Sequence, residues 1–184
     1  PAEALPILCR VIHTTADFDY ADNLAFSPDV IEQAKAALCN GATIVTDTNM
    51  ALSGISKPSL TKLGAKALCL MADPDIAREA KERGVTRAVV SMEHAARLDG
   101  PLIFAVGNAP TALIRLHELI GKDEVKPALV IGVPVGFVNV VEAKELFIGG
   151  KTPYIIARGR KGGSNVAAAI VNALLYQLIR REGF

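Results

Sequence analysis

Two stretches of the chain carry residue types that can do chemistry. In the first, Arg10-Val-Ile-His-Thr-Thr-Ala-Asp-Phe-Asp-Tyr-Ala-Asp-Asn-Leu-Ala-Phe-Ser, one of three histidines stands among Thr14, Thr15, Asp17, Asp19, Tyr20, Asp22 and Asn23. Imidazole gives or takes a proton near neutral pH without further tuning, so His13 is a candidate proton handler. A carboxylate from Asp17, Asp19 or Asp22 would orient it and favour its charged form, whereas burial beside Val11, Ile12 and Phe18 would disfavour that charge. The other reading of His13 is a core histidine satisfied by a backbone carbonyl.

The second stretch is Arg158-Gly-Arg-Lys-Gly-Gly-Ser-Asn. Arg158, Arg160 and Lys161 sit beside Gly162 and Gly163 at the expected start of a helix, where free N–H groups and the helix dipole favour an anion. The chemistry expected here is the binding of phosphate or carboxylate. A capped turn with solvated charges is the alternative, Ser164 being the cap. Anion binding is favoured because the cations cluster at a strand end instead of spreading over a face.

The elements that must position these groups follow from pattern. Ser27-Pro28 reads as the N-cap and first residue of a helix that ends before Gly41. Short apolar runs at Ala42–Thr46, Lys66–Met71, Arg87–Ser91, Leu102–Val106, Ala128–Val133 and Pro153–Ala157 read as strands. Helical segments follow them: Ala51 to Ile55, Pro74 to about Arg83, Met92 to Leu98, Pro110 to Gly121, Asn139 to Phe147, and Val166 to about Arg181. This alternation predicts one α/β domain over residues 1–184, a three-layer, doubly wound and mainly parallel sheet. Ligands of such sheets bind beyond the carboxyl ends of the strands. The residues to watch are then Asp47, Thr48 and Asn49; Ser91 and Glu93; Gly107, Asn108 and Pro110; Pro134 and Gly136; and 158–165.

Composition narrows the classes. The 184 residues are 51% hydrophobic and 21% charged, with a net charge of +1 and no tryptophan. Such a chain buries a sizeable core of Val, Ile, Leu and Ala and has no bulk electrostatic reason to bind nucleic acid or a membrane. Cys9, Cys39 and Cys69 are widely spaced, which argues against structural zinc or a disulfide framework. With no signal peptide or spanning apolar run, the cytoplasm is the expected compartment.

Nucleotide chemistry lacks its fingerprints. Gly-x-x-x-x-Gly-Lys-Ser/Thr is absent, Gly159, Gly162 and Gly163 do not fall in Gly-x-Gly-x-x-Gly order, and Gly132-Val-Pro-Val-Gly puts proline in the turn. No Gly-x-Ser-x-Gly elbow offers a hydrolase nucleophile. His94 and His117 fall on expected helices, in surface or packing roles.

Five motifs in series nevertheless make a specific pattern. They are Arg10-Val-Ile-His-Thr-Thr-Ala-Asp-Phe-Asp-Tyr-Ala; Asp47-Thr-Asn-Met with Gly54-Ile; Val106-Gly-Asn-Ala-Pro-Thr-Ala-Leu; Gly132-Val-Pro-Val-Gly-Phe-Val-Asn-Val-Val-Glu-Ala-Lys; and Gly159-Arg-Lys-Gly-Gly-Ser-Asn-Val-Ala-Ala-Ala. Together, across nearly the whole chain, they resemble the precorrin-8X methylmutase family. Family members usually carry a further segment before the histidine motif, where only Pro1 to Cys9 stand here, and its contribution is expected to be missing.

The resemblance implies a flavodoxin-like fold, a homodimer with its site near the subunit interface, and no external cofactor. It implies an isomerase of cobalamin biosynthesis that moves a methyl group from C-11 to C-12 of a carboxylated tetrapyrrole, metal-free or holding cobalt. His13 occupies the position of the family's catalytic histidine and is the expected general acid. Arg10, Arg158, Arg160 and Lys161 would neutralise peripheral carboxylates, and Thr14, Thr15, Asp17, Asn108 and Ser164 complete the expected substrate-binding set. In a second mechanism the enzyme works by product-like shape complementarity and His13 only hydrogen-bonds a ring nitrogen. Outside catalysis, the same residues suit a tetrapyrrole carrier or a regulatory α/β module.

Overall fold

The chain alternates short strands and helices in a computed structural model that describes residues 1–179. In order these are α1 (Leu5–Thr15), α2 (Tyr20–Asn23), β1 (Leu24–Phe26), α3 (Val30–Cys39), β2 (Thr43–Thr46), α4 (Asn49–Gly54), α5 (Lys57–Leu63) and β3 (Lys66–Cys69). Then follow α6 (Pro74–Arg83), α7 (Arg87–Ala95), β4 (Leu102–Val106), α8 (Pro110–Gly121), β5 (Leu129–Gly132), α9 (Val140–Glu145), β6 (Tyr154–Ala157) and α10 (Ser164–Leu178).

The six strands form one sheet in the order β1-β6-β5-β4-β2-β3. All neighbours are parallel except the edge strand β1, which pairs antiparallel with β6. Strand order reverses between β3 and β4 on either side of β2, which places the switch point at the β2–β4 boundary. Alternate residues of each strand serve opposite layers. Ile44, Ile103, Ile131 and Ile155 meet α1, α3 and α10 on one face. Val45, Phe104, Val130 and Ile156 meet α7, α8 and α9 on the other. Both faces are covered, which is why the parallel strands read as unbroken apolar runs.

Four local expectations are corrected. Arg87–Ser91 is the first half of α7, not a strand: Thr86 caps the helix by accepting from Val89 N–H, and Ala88, Met92 and Ala95 are buried at helical spacing. The sixth strand is supplied instead by Leu24–Phe26. Ser27 does not cap α3, whose N-cap is Asp29. Its N–H donates to Tyr154 O at 3.0 Å and its Oγ accepts from Tyr154 N–H at 2.8 Å, extending the β1–β6 pairing by a residue. Ser164 is the first residue of α10, not its cap; Gly163 holds that position at φ 139°. The expected end of this helix near Arg181 lies outside the described residues. Among the described residues no helix is long and apolar enough to cross a membrane.

Candidate functional site

The loops that leave β2, β4, β5 and β6 are tied to one another at the carboxyl edge of the sheet. Asp47, which follows β2, is 1% exposed. Its carboxylate accepts from the N–H groups of Gly107 at 2.8 Å, Asn108 at 2.8 Å and Ala109 at 2.7 Å, the turn between β4 and α8. Burial pushes the Asp47 carboxyl above its ordinary pKa, and the three N–H donors pull against that rise. Thr48 Oγ1 accepts from Ala51 N–H to cap α4 and pairs with Ser164 Oγ at 2.7 Å, joining the β2 loop to α10.

Glycine lets these loops touch. A Cβ on Gly107 would lie 2.7 Å from Gly163 O, and one on Gly162 would lie 2.0 Å from Val133 O. Gly163 N–H donates to Val133 O at 2.8 Å and Gly136 N–H to Arg160 O at 3.1 Å, so the loop after β6 lies on the loop after β5. Lys144 of α9 is fully buried beneath them, donating to Gly159 O at 2.9 Å and Lys161 O at 3.0 Å. Burial lowers its pKa to about 8.

The histidine stretch reaches this edge as the end of α1. Ile7 and Val11 are buried on one side of the helix, while Pro6, Cys9, Arg10 and His13 line an open cavity of about 350 Å³ on the other. His13 and Thr14 are exposed, so the reading of His13 as a core histidine is overturned. Phe18, one of the apolar neighbours beside which burial would disfavour a charge on His13, is 79% exposed. Arg10 lies over the Tyr176 ring, 4.6 Å from its centroid, and so leans on α10. The helix stops at Ala16 in the left-handed region, where Thr15 Oγ1 donates to Val11 O and accepts from Asp17 N–H.

Asp17 and Asp19 join the two chemical stretches. Each carboxylate lies 2.7 Å from Lys161 Nζ. Lys161 holds the Asp17 carboxyl below its ordinary pKa, and the two carboxylates hold Lys161 above the usual lysine range. A carboxyl whose pKa is lowered by folding contributes stability above its unfolded pKa, and that contribution is lost as pH falls through the folded value. Lys161→Met is therefore expected to destabilise the fold at neutral pH, with the difference from the parent vanishing in strong acid. Urea unfolding across that range checks it, and a difference that persists in acid refutes the linkage.

The remaining expected residues are placed as follows. Arg158 is held by Glu145 through Nε and Nη2, both at 2.9 Å. Arg160 is exposed, its guanidinium 5.9 Å from the Phe137 ring. Asn108 has its N–H fixed by Asp47 and its side chain exposed. Ser91 and Glu93, expected at a strand end, belong to α7: Ser91 Oγ lies 3.3 Å from Met71 Sδ, and Glu93 binds Arg83 and Arg115 away from this edge. Sequence reasoning carried Lys144 only as the last residue of the Gly132 motif and gave it no role, since it stands in a charged segment with no local sign of burial.

Exposed apolar side chains surround the edge: Phe18, Met50, Phe137 and Val138 are between 72% and 83% exposed. Large exposed apolar groups that lie near cations and an exposed imidazole are available to a ligand or to a partner.

Known proteins are similar in sequence and in fold. The sequence model of the precorrin-8X methylmutase family matches residues 1–177. A cobalt-precorrin-8 methylmutase of Salmonella typhimurium is 50% identical over 173 residues, 94% of this chain and 80% of that protein. A precorrin-8X methylmutase of Pseudomonas aeruginosa is 41% identical over 177 residues, covering 95% of this chain and 84% of its own length. The crystal structure of a precorrin-8X methyl mutase from Thermus thermophilus superposes with a TM-score of 0.87 at 40% identity, over 94% of this chain and 84% of that one. The strand-end loops and the α1 face are thus parts of a shared fold, and the chain belongs to the precorrin-8X methylmutase family of isomerases.

Proposed function

We propose that the chain moves a methyl group from C-11 to C-12 of precorrin-8X or its cobalt-containing counterpart in cobalamin biosynthesis, with His13 as the proton donor. The observation that carries this reading is the exposed imidazole of His13 beside Arg10 on one stripe of α1, a proton source next to a carboxylate partner. The reaction is an isomerisation. The bond from methyl to C-11 breaks as the bond to C-12 forms, so no atom is gained or lost and no protein nucleophile is required. A proton lent by His13 to the conjugated ring makes the carbon framework electron-poor, which lowers the barrier to migration, and returns to the imidazole once the product forms.

Binding uses the rest of the edge. Arg10 and Arg160 are the cations that meet peripheral carboxylates, while Lys161, paired with Asp17 and Asp19, and Arg158, held by Glu145, fix the loop beside them. Thr14 and Asn108 give exposed neutral hydrogen-bonding groups, while Thr15 and Ser164 act from within, fixing the end of α1 and the start of α10. The exposed Phe18, Met50, Phe137 and Val138 support a homodimer in which a second copy narrows the site. The enzyme works in the cytoplasm.

An absorbance titration with metal-free hydrogenobyrinic acid, its cobalt form, ATP and NAD tests the reading. Saturable shifts of the corrin bands with no response to the nucleotides are expected, followed by spectral conversion of the precursor. Tight corrinoid binding without conversion makes the protein a carrier, and no response to either corrinoid overturns the assignment.

A further inference from the structure

Among the described residues, Lys144 is a charge with no carboxylate at its side. Its side chain is 0% exposed in α9, and its ammonium meets two backbone carbonyls, Gly159 O at 2.9 Å and Lys161 O at 3.0 Å. Burying an ammonium in this way is costly, and a methionine of similar length would fill the space without taking a charge out of water. The structure therefore has to account for the charge, and the two carbonyls are what it engages.

Those carbonyls belong to the loop that carries Arg158, Arg160 and Lys161. The carbonyl between them, Arg160 O, accepts from Gly136 N–H at 3.1 Å in the neighbouring loop, so three consecutive carbonyls are held by fixed donors. Gly159 at φ 85° and Gly163 at φ 139° allow the turns at either end. With its carbonyls so held, the loop leaves the side chains of Arg160 and Lys161 exposed at the sheet edge. A backbone drawn onto a buried cation is a rigid mount for groups that must meet a ligand's charges at fixed spacing.

The geometry points to Lys144 as a positioning residue for anion recognition, an internal cation that pins the Gly159 and Lys161 carbonyls so that the loop, its Lys161 ammonium locked to Asp17 and Asp19, presents Arg160 to the carboxylates of the substrate. This rests on the tetrapyrrole reading given above, which identifies the anion. Lys144 touches neither substrate nor reacting atoms, and it acts only through the loop.

The test titrates hydrogenobyrinic acid into the parent protein, Lys144→Met, Lys144→Gln and Lys144→Arg, with the folded fraction of each fixed by circular dichroism. Lys144→Met should weaken corrinoid binding by about tenfold or more per folded molecule, because a loop misplaced by an ångström loses its paired contacts. KM should rise with kcat at saturation retained, since His13 stands on α1. Lys144→Arg, which keeps a buried cation with several donors, should recover affinity in part. Equal affinity in the parent and in folded Lys144→Met overturns the proposal, as does a fall in kcat with KM unchanged. If Lys144→Met does not fold, Lys144→Gln decides by the same two criteria. A parent protein that binds no corrinoid removes the tetrapyrrole reading itself, an outcome separate from any difference among the variants.

Discussion

Replacing His13 with alanine is expected to lower turnover of the precursor by about 10²- to 10⁴-fold, the range that a positioned general acid supplies. The imidazole is exposed at the last turn of α1 and packs into no core, so the fold should be unaffected, with unfolding free energy changed by less than about 0.5 kcal/mol. On the proposed reading Arg10 and the 158–163 loop still bind carboxylates, so affinity for hydrogenobyrinic acid should hold. That combination separates the two mechanisms: lost rate with retained affinity is the signature of a group that acts only in the transition state, and lost affinity together with rate is that of a binding contact. Single-turnover spectroscopy of the precursor, beside the corrinoid titration, reads both quantities. Unchanged turnover would remove His13 from the chemistry.

The parallel core was legible because burial on both faces writes it into the chain as short apolar runs, and Leu102–Val106 and Leu129–Gly132 are fully buried strands. The same signal misled at Arg87–Ser91, where Val89-Val90 looks β-branched and apolar; what decides is the longer window, in which Ala88, Met92 and Ala95 mark one helical face under a Thr86 cap. Leu24–Phe26 escaped notice since three residues are too few to show a period, and they become a strand only because β6 offers an edge to pair with. From sequence no helix is assigned to α1, because the chemical stretch begins at Arg10 and the buried Ile7 that completes an apolar side with Val11 lies before it.

At the site, chemistry was easier to read than attachment. The types and spacing in 10–17 and 158–164 picked out the exposed imidazole and the cation loop, but no spacing reveals that Lys161 meets Asp17 and Asp19, because those contacts span more than a hundred residues and depend on α1 lying against α10. Lys144 was illegible for another reason. Its partners are carbonyls, which every residue possesses, so nothing in the composition of Glu142-Ala-Lys-Glu separates a buried clamp from a solvated helix face.

Asp47→Ala is expected to cost about 3 to 5 kcal/mol of stability, a fall in melting temperature of about 10 °C for a chain of this size. The carboxylate is 1% exposed and is the acceptor for three consecutive backbone N–H groups, at 2.8, 2.8 and 2.7 Å. Alanine would leave those donors facing a small void that water fills poorly, and charge-assisted bonds to backbone N–H are among the stronger ones. Asp47→Asn divides the contribution. Oδ2 serves Asn108 and Ala109 while Oδ1 serves Gly107, so an amide that keeps its oxygen toward the pair must turn its NH₂ toward Gly107 N–H. Two bonds are then retained and one becomes a repulsion between donors, and the loss should be smaller than for alanine by about 1 to 2 kcal/mol. Because the same carboxylate fixes the turn bearing Asn108 and the packing of Gly107 against Gly163, both variants should bind corrinoid more weakly in the same order as they lose stability. Urea unfolding and the corrinoid titration measure the two trends, and an asparagine variant as unstable as the alanine one would mean that the negative charge, not the geometry of acceptance, holds the strand-end loops together.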